Sequence, residues 1–376
     1  MTCDQTLVSF YLPNLSEGGV QRMVINLAHG LLEQGIKVDL VIDRLVGPFV
    51  EQIPSGARLI DMKAPRLRER ISWVARYLKQ EQPKVMFSNM HYNTEIAILA
   101  KRLFKLSTYV VAIEHGTPSQ IERCSIRQPL HFLGLTPSRP TSLIRFIYPL
   151  ADDIVAVSQG VAKDLARITG LPVERIKVIY NPIVSSELTE KAKEPVAHPW
   201  FAPGEPPVVL AVGRLVEQKD FYTLIRAFDQ VRKKQKARLV ILGSGPQKPM
   251  LESLVTKLGL ESDVALLGFL PNPYAYMARA GVFALSSIWE GFGNVLVEAM
   301  ATGTPVVSTN CESGPAEILN HGQYGLLTPV GDSNALAEAI INVLSNGAKP
   351  VDSTWLDQFT LESVSKKFIS LPYLAC

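Results

Sequence analysis

Three observations predict an α/β fold built from two parallel, doubly wound sheets. Short apolar runs alternate with amphipathic stretches along nearly the whole chain. The alternation breaks once, over residues 181–206, where "NPIVSSELTEKAKEPVAHPWFAPGEP" is rich in Pro, Ser and charge, and then resumes. The length, 376 residues, is also large for one hydrophobic core. We expect a first domain over residues 1–180, a linker over 181–206 and a second domain over 207–358. Residues 359–376 are expected to form a helix that returns to the first domain. Open α/β sheets bind ligands beyond the carboxyl ends of their strands, so two facing domains would enclose a cleft.

The elements follow in order. "TLVSFYL" leads through "PNLSEGG" into "VQRMVINLAHGLLEQG" and then "IKVDLVI", which reads as strand, glycine loop, helix and strand. Gly35 suits the helix C-terminus. "KVMFS", "TYVVAIE", "DIVAVS" and "IKVIYN" are further strands of the first domain. The second offers "PVVLAVG", a helix from about Asp220, "ARLVILG", a helix from about Pro246, then "DVALLGF", "GVFALS" and "TPVVST". One segment resists the scheme. "HGTPSQIERCSIRQPLHFLGLTPSRP", from His115 to Pro140, is too long for an ordinary connection. It is either a lid or binding element, or an irregular surface excursion.

Composition narrows the function classes. A net charge of +3 argues against a nucleic-acid partner. The charge is uneven. Residues 1–180 hold 22 Lys and Arg against 16 Asp and Glu, and the remainder holds 16 against 19. The first half is thus the one suited to an anionic partner. Cys3, Cys124, Cys311 and Cys376 are widely spaced, which points to free thiols rather than a zinc site or a disulfide framework. Cys311 reads as a small buried residue. No apolar run reaches the length of a membrane span, and the first residues lack the pattern of a signal peptide. A cytoplasmic protein is expected, with peripheral attachment to the inner face of the plasma membrane as an option.

Several strand ends carry candidate chemistry. Gly18 and Gly19 in "SEGGVQR" follow a strand and open a helix, where bare backbone lets an anion approach the amides. A tight turn explains the pair equally well. The stretch is neither G-x-G-x-x-G nor a P-loop, so nicotinamide and NTPase readings lose their main support. Arg214 and Lys219 in "VGRLVEQKDF" suit a diphosphate, although two solvated surface charges remain the alternative. Gly245 in "GSGP" allows a tight turn or close ligand approach. Phe269 after "LLG" could seat a flat base or pack in the core.

The densest stretch is "SIWEGFGNVLVEAMATGTPVV". A strand ends before it, Asn294 is expected to cap a helix, and Gly303 lies past that helix. Glu290 then sits in the loop and Glu298 about one turn inside the helix. The amides of Gly293, Asn294 and Val295 face outward for an anion, which the helix dipole favours. A carboxylate on each side of an anion site matches a nucleotide sugar: ribose hydroxyls, diphosphate, sugar hydroxyls. Glu298 could instead face solvent, but its apolar neighbours place the helix in the interior, where a carboxylate needs a partner.

Glu290 and Glu298 form an E-x7-E motif, flanked by "GRLVEQKD", "SGPAEIL" and "YGLLTPVGD". With "SEGGVQRMVINLA" near the start, the chain resembles the retaining glycosyltransferases of family 4, in the glycogen-synthase-like group with the GT-B fold of two Rossmann-like domains. The resemblance covers nearly the whole chain. It implies that Glu298 binds the donor ribose and Glu290 contacts the transferred sugar. Arg214 and Lys219 would neutralise the leaving diphosphate, and Gly293, Asn294 and Val295 would supply amides. Gly18 and Gly19 would close over the diphosphate. His115, in "IEHG", would match an active-site histidine beside the donor sugar. Glu312 or Ser313 stands where the family often has glycine, a departure within the sugar-contacting loop.

The resemblance implies a nucleotide-sugar donor, a glycan or lipid-linked acceptor, and no metal ion or other cofactor. No DxD-type cluster lies at a strand's carboxyl end; Asp152 and Asp153 precede their strand. The competing readings are another GT-B enzyme, such as a nucleotide-sugar epimerase, and a non-catalytic nucleotide-sugar-binding scaffold. Finally, "RLRERISWVARYLK", Arg66 to Lys79, places Arg66, Arg68, Arg70, Arg76 and Lys79 opposite Ile71, Trp73, Val74, Tyr77 and Leu78. It is either an ordinary helix packed on the sheet or a contact for an anionic membrane surface.

Overall fold

The computed structural model describes residues 6–16, 18–63, 66–120, 122 and 140–374. Backbone contacts divide the chain into two compact units. One is Met1–Pro182 with Phe359–Cys376, and the other is Ile183–Gln358.

The first unit holds a seven-stranded sheet in the order β3-β2-β1-β4-β5-β6-β7. Its strands are β1 (Leu7–Leu12), β2 (Lys37–Ile42), β3 (Arg58–Asp61), β4 (Val85–Asn89), β5 (Tyr109–Glu114), β6 (Asp153–Ala156) and β7 (Ile176–Val178). Every pairing is parallel. Helices on both faces explain why these strands are apolar throughout rather than alternating. Helix Gly19–Glu33 buries Met23, Val24, Leu27, Ala28 and Leu31, the three- and four-residue spacing of one helical face. A glycine in that helix, Gly30, has a packing reason. A Cβ there would collide with Ser365 and Leu361 of helix Leu361–Ile369. That C-terminal helix also sets Phe368 edge-on against Phe87, with ring centroids 5.2 Å apart.

The second unit holds a six-stranded parallel sheet in the order β10-β9-β8-β11-β12-β13. Its strands are β8 (Val208–Val212), β9 (Arg238–Leu242), β10 (Val264–Gly268), β11 (Val282–Leu285), β12 (Val306–Thr309) and β13 (Leu326–Thr328). Leu224, Ile225, Phe228 and Val231 of helix Phe221–Lys234 join Leu336, Ile340 and Val343 of helix Ser333–Asn346 in the core on one face. Asp220 caps the first of these, accepting from the Thr223 amide at 3.1 Å.

The structure differs from the sequence reading in three places. Residues 181–206, whose composition reads as linker, contain helix Ser186–Lys193, capped by Ser185. Asn272 donates to the Lys191 carbonyl at 2.9 Å and Arg279 to the Ala192 carbonyl at 3.1 Å. With Leu188 buried, the segment is therefore built into the second unit. The second difference is in helix Leu67–Glu81. Arg70 turns inward and lies 3.0 Å from Asp43. Asp43 also accepts from the Tyr11 hydroxyl at 2.7 Å and from the Asn93 amide at 3.3 Å. Burial raises the Asp43 pKa above the ordinary carboxylate value, against the pull of these partners. Arg70 thus belongs to a polar network and not to an outer basic side. On the same helix Trp73 stacks on Tyr77, whose hydroxyl donates to Asp39 at 2.6 Å. The Arg68 side chain lies outside the described residues.

The third difference is two short edge strands, β3 and β13, which the sequence pattern did not single out. Of the excursion from His115 to Pro140, residues 121 and 123–139 lie outside those described. Asp152 and Asp153 are structural: they pair with Lys101 and Lys177 at the amino end of β6. Among the described residues Cys311 is a free, buried thiol, and no group of three metal-ligating side chains occurs.

Candidate functional site

In each sheet the strand order reverses once, and crevices form at such switch points. In the second unit the reversal falls between β8 and β11. The chain leaving β8 forms a short turn, Glu217–Lys219. The chain leaving β11 runs from Ser286 to Gly293. Four bonds fasten the two together. Ile288 N–H donates to the Gln218 carbonyl at 2.8 Å. The Gln218 side-chain amide donates to the Trp289 carbonyl at 2.9 Å. The Ser286 hydroxyl donates to the Lys219 carbonyl at 2.8 Å. Lys219 Nζ reaches Glu290 Oε1 at 2.5 Å.

Glu290 is 6% exposed. It also accepts the Ser287 hydroxyl at 2.7 Å. Burial of a carboxylate is tolerated because an ammonium and a hydroxyl replace its hydration. Thr309 at the end of β12 donates to the Ser287 carbonyl at 2.6 Å, so three strand ends hold this loop. Arg214, on the same side of the switch, stands exposed. The structure thus brings Lys219 and Glu290 together and leaves Arg214 facing solvent.

The helix beyond the loop is Asn294–Ala301. Its cap is Gly293, one residue before the expected Asn294. Gly293 has φ +98°, a conformation that L side chains rarely adopt. No side chain caps this N-terminus, and the positive end of a helix dipole favours an anion. Glu298 is half-buried in the next turn, between buried Val297 and Ala299. The neighbouring loop, Cys311–Gly314, presses on this one. A Cβ on Gly314 would overlap the Phe292 carbonyl. Ser313, one of the two residues where the family often has glycine, is buried there. Burial, then the nearby Glu290, push the Cys311 thiol up to about 12, so it is inert.

Two further candidates take on specific meaning. A Cβ on Gly245 would meet the Leu215 carbonyl at 2.4 Å. The close approach that requires glycine is therefore to protein backbone. Phe269 is 47% exposed, so core packing is not its role.

In the first unit the reversal falls between β1 and β4. Gly18 and Gly19 follow β1, with Gly18 at the N-cap and Gly19 the first residue of helix Gly19–Glu33. His115 follows β5 and is half-buried. Its Nε2 lies 2.9 Å from Asn89 Oδ1 at the end of β4. The adjacent Glu114 is buried and accepts the Tyr148 hydroxyl at 2.8 Å. Burial lowers the His115 pKa to about 3, so the ring is neutral at physiological pH. Burial, then Glu114, raise the Glu95 pKa to about 7.

Sequence reasoning missed Gln218, Ser286, Ser287 and Thr309 in the second unit, and Asn89, Glu95, Glu114 and Tyr148 in the first. A usable signal existed for several. Polar residues directly at the carboxyl ends of apolar strands, such as "ALSS" and "FSN", are where an open sheet carries its site.

Comparison with known proteins agrees with this architecture. Residues 17–187 match the family described as Glycosyltransferase Family 4, and residues 193–353 match Glycosyl transferases group 1. A Campylobacter jejuni relative is 32% identical over 350 residues, covering 90% of each chain. It is the N-acetylgalactosamine-N,N'-diacetylbacillosaminyl-diphospho-undecaprenol 4-alpha-N-acetylgalactosaminyltransferase. The Rhizobium meliloti lipopolysaccharide core biosynthesis glycosyltransferase LpsE is 28% identical, covering 94% of this chain and 96% of its own. Among solved structures, Anabaena HepE in complex with UDP superposes with a TM-score of 0.74 at 22% identity, over 96% of this chain and 98% of that one. Two parallel-sheet units of this kind, with these neighbours, define a GT-B glycosyltransferase. The chain belongs to glycosyltransferase family 4.

Proposed function

We propose that this glycosyltransferase moves a hexosyl or N-acetylhexosaminyl group from a nucleoside-diphosphate sugar to an acceptor hydroxyl. The anomeric configuration is retained and no metal ion takes part. The observation that carries this reading is the junction of the β8 and β11 ends, where Lys219 pairs with Glu290 beside the N-terminus of helix Asn294–Ala301. A diphosphate there meets one ammonium, the exposed Arg214 guanidinium and first-turn amides. Fixed donors of this kind stabilise a departing anion by a few kcal/mol each, about 3 per well-placed group. An arriving diphosphate also competes with Glu290 for Lys219, which frees the carboxylate to accept sugar hydroxyls. Glu298 takes the ribose hydroxyls. Gly18, Gly19 and His115 keep the roles that the family resemblance implies.

The transfer is a front-face displacement. The bond from the anomeric carbon to the phosphate oxygen breaks, and the acceptor oxygen bonds to that carbon on the same face. The acceptor proton passes to the departing phosphate. A glycan or lipid-linked acceptor is supported by the relatives, one named for a diphospho-undecaprenol substrate and one for lipopolysaccharide core synthesis. Such an acceptor suits a basic first half that meets an anionic membrane surface. No helix among the described residues is long and apolar enough to cross a membrane.

The test is a panel of UDP-, GDP- and ADP-sugars, with and without acceptor and with excess EDTA. Acceptor-dependent release of nucleoside diphosphate that EDTA leaves unchanged is the expected result. Turnover of donor without any acceptor would indicate an epimerase. Loss in EDTA that Mg²⁺ or Mn²⁺ restores would overturn metal independence.

A further inference from the structure

The protonation of His115 can be read from its neighbours. The Asn89 side-chain nitrogen donates to the Phe87 carbonyl at 3.2 Å. A carbonyl only accepts, so this contact fixes which end of the amide is nitrogen. Asn89 Oδ1 therefore faces His115 Nε2, 2.9 Å away. An amide oxygen also only accepts, so Nε2 must carry the proton. The ring is neutral, held so by burial. Its single proton is thus on Nε2, and Nδ1 keeps a lone pair.

The backbone that carries the ring is fastened on both sides. Glu114 Oε1 accepts the N–H groups of His115 and Gly116, each at 3.2 Å. Its other oxygen accepts the Tyr148 hydroxyl. Downstream, the Ser119 amide and hydroxyl donate to Asp164 at 3.1 and 2.6 Å. The charged and ionisable neighbours gather about the Glu114 carboxylate: His91 and Glu95 on helix His91–Phe104, and Tyr148. The neutral Asn89 is the group that bonds the ring.

We propose that Asn89 is a positioning residue that sets the His115 tautomer, so that Nδ1 is presented as a hydrogen-bond acceptor to one hydroxyl of the donor sugar. This rests on the assignment of His115 to the donor sugar in the proposed function. An imidazolium, or the other tautomer, would place a donor at Nδ1, and the hydroxyl would then have to accept there instead of donate. The site would then select a sugar with a free hydroxyl at that position over one bearing hydrogen or fluorine, which cannot donate.

The tautomer is measured directly by ¹⁵N NMR of the full chain labelled at its six histidines, with His115→Gln assigning the resonance. A protonated Nε2 and a bare Nδ1, unchanged between about pH 5 and about pH 8, is the expected result. A proton on Nδ1, or a ring that titrates in that window, overturns the inference without any variant or donor. Asn89→Leu should mix the tautomers and lower transfer about ten- to hundredfold. The same change on a His115→Ala background should cost little more, because the ring it orients is gone. Full additivity of the two losses would count against positioning. Asn89→Asp keeps an acceptor for Nε2–H but adds a charge that raises the ring pKa. Its transfer rate should fall as pH is lowered, where the wild type holds level. The two failures differ: absence of transfer from every donor strikes the proposed function, whereas a reversed tautomer in a transferring enzyme strikes this inference alone.

Discussion

At the junction of β8 and β11, the buried Glu290 meets an ammonium and a hydroxyl. At the end of β5, the buried Glu114 meets two backbone amides and a tyrosine hydroxyl, and after burial it is the second cause that raises the pKa of Glu95. Both are carboxylates at the carboxyl end of a parallel sheet, but their surroundings give them opposite characters. Glu290 is held by a lysine ammonium, for which an incoming anion would compete. Glu114 is held by the backbone of the loop it anchors, so nothing is released when a ligand arrives. The first arrangement suits a residue that exchanges partners during a reaction, and the second suits a scaffold.

The largest expected effect breaks the first arrangement. Arg214→Ala and Lys219→Ala should each lower turnover at least ~100-fold, through loss of a charge contact in the transition state. Their effects on folding should diverge. Arg214 is exposed, so its loss should leave stability within about 0.5 kcal/mol. Lys219→Ala strands a buried carboxylate and should cost about 3 kcal/mol, read by urea denaturation. Equal stability of the two variants would mean that the ion pair does not form in solution.

A smaller effect sharpens the second arrangement. Burial, then Glu114, lift the Glu95 pKa from 4.5 to about 7. An acid with a raised folded pKa keeps a proton that the unfolded chain has lost. Folding stability is therefore lost as pH rises through that window, by about 1 kcal/mol per pH unit. Glu95→Gln should remove this slope. Its melting temperature should exceed that of the wild type by a few degrees at about pH 8 and differ little at about pH 4. Parallel melting curves across that range would show that Glu95 titrates normally.

The smallest effect concerns the outer side of helix Leu67–Glu81. With Arg70 engaged by Asp43, the exposed basic residues among the described side chains of this helix and its cap are Arg66, Arg76 and Lys79. Co-sedimentation with anionic liposomes should fall several-fold in each of Arg66→Ser, Arg76→Ser and Lys79→Ser, one cation adding about 1 kcal/mol. It should also weaken with salt. A protein that stays in the supernatant with every lipid would make this helix a wall of the fold and favour a soluble acceptor.

The same contrast explains what was legible in the sequence. Two sheets were readable because strands buried on both faces are apolar runs bounded by loops. The edge strands β3 and β13 were not, because three or four residues with polar neighbours carry little pattern. Glu290, Glu298, Arg214 and Lys219 stood out because charged residues beside strand ends are rare in apolar surroundings. The partnership of Lys219 with Glu290 was not readable, since the two lie 71 positions apart and meet only through the β8–β11 adjacency. Arg70 misled for a related reason. Helical periodicity gives a face, but not that Asp43 at the end of β2 draws one arginine inward. Asn89 and Glu114 were ordinary polar residues until the pairing of β4 with β5 set them beside the His115 loop.

We assign sugar transfer with retention to the β8–β11 junction. The most direct measurement is proton NMR of the product's anomeric coupling, made with the wild type and with Glu290→Gln on the donor and acceptor that the panel identifies. The expected product keeps the donor's anomeric configuration and forms at least ~100-fold more slowly in the variant. An inverted product, or wild-type turnover in folded Glu290→Gln, would contradict the assignment.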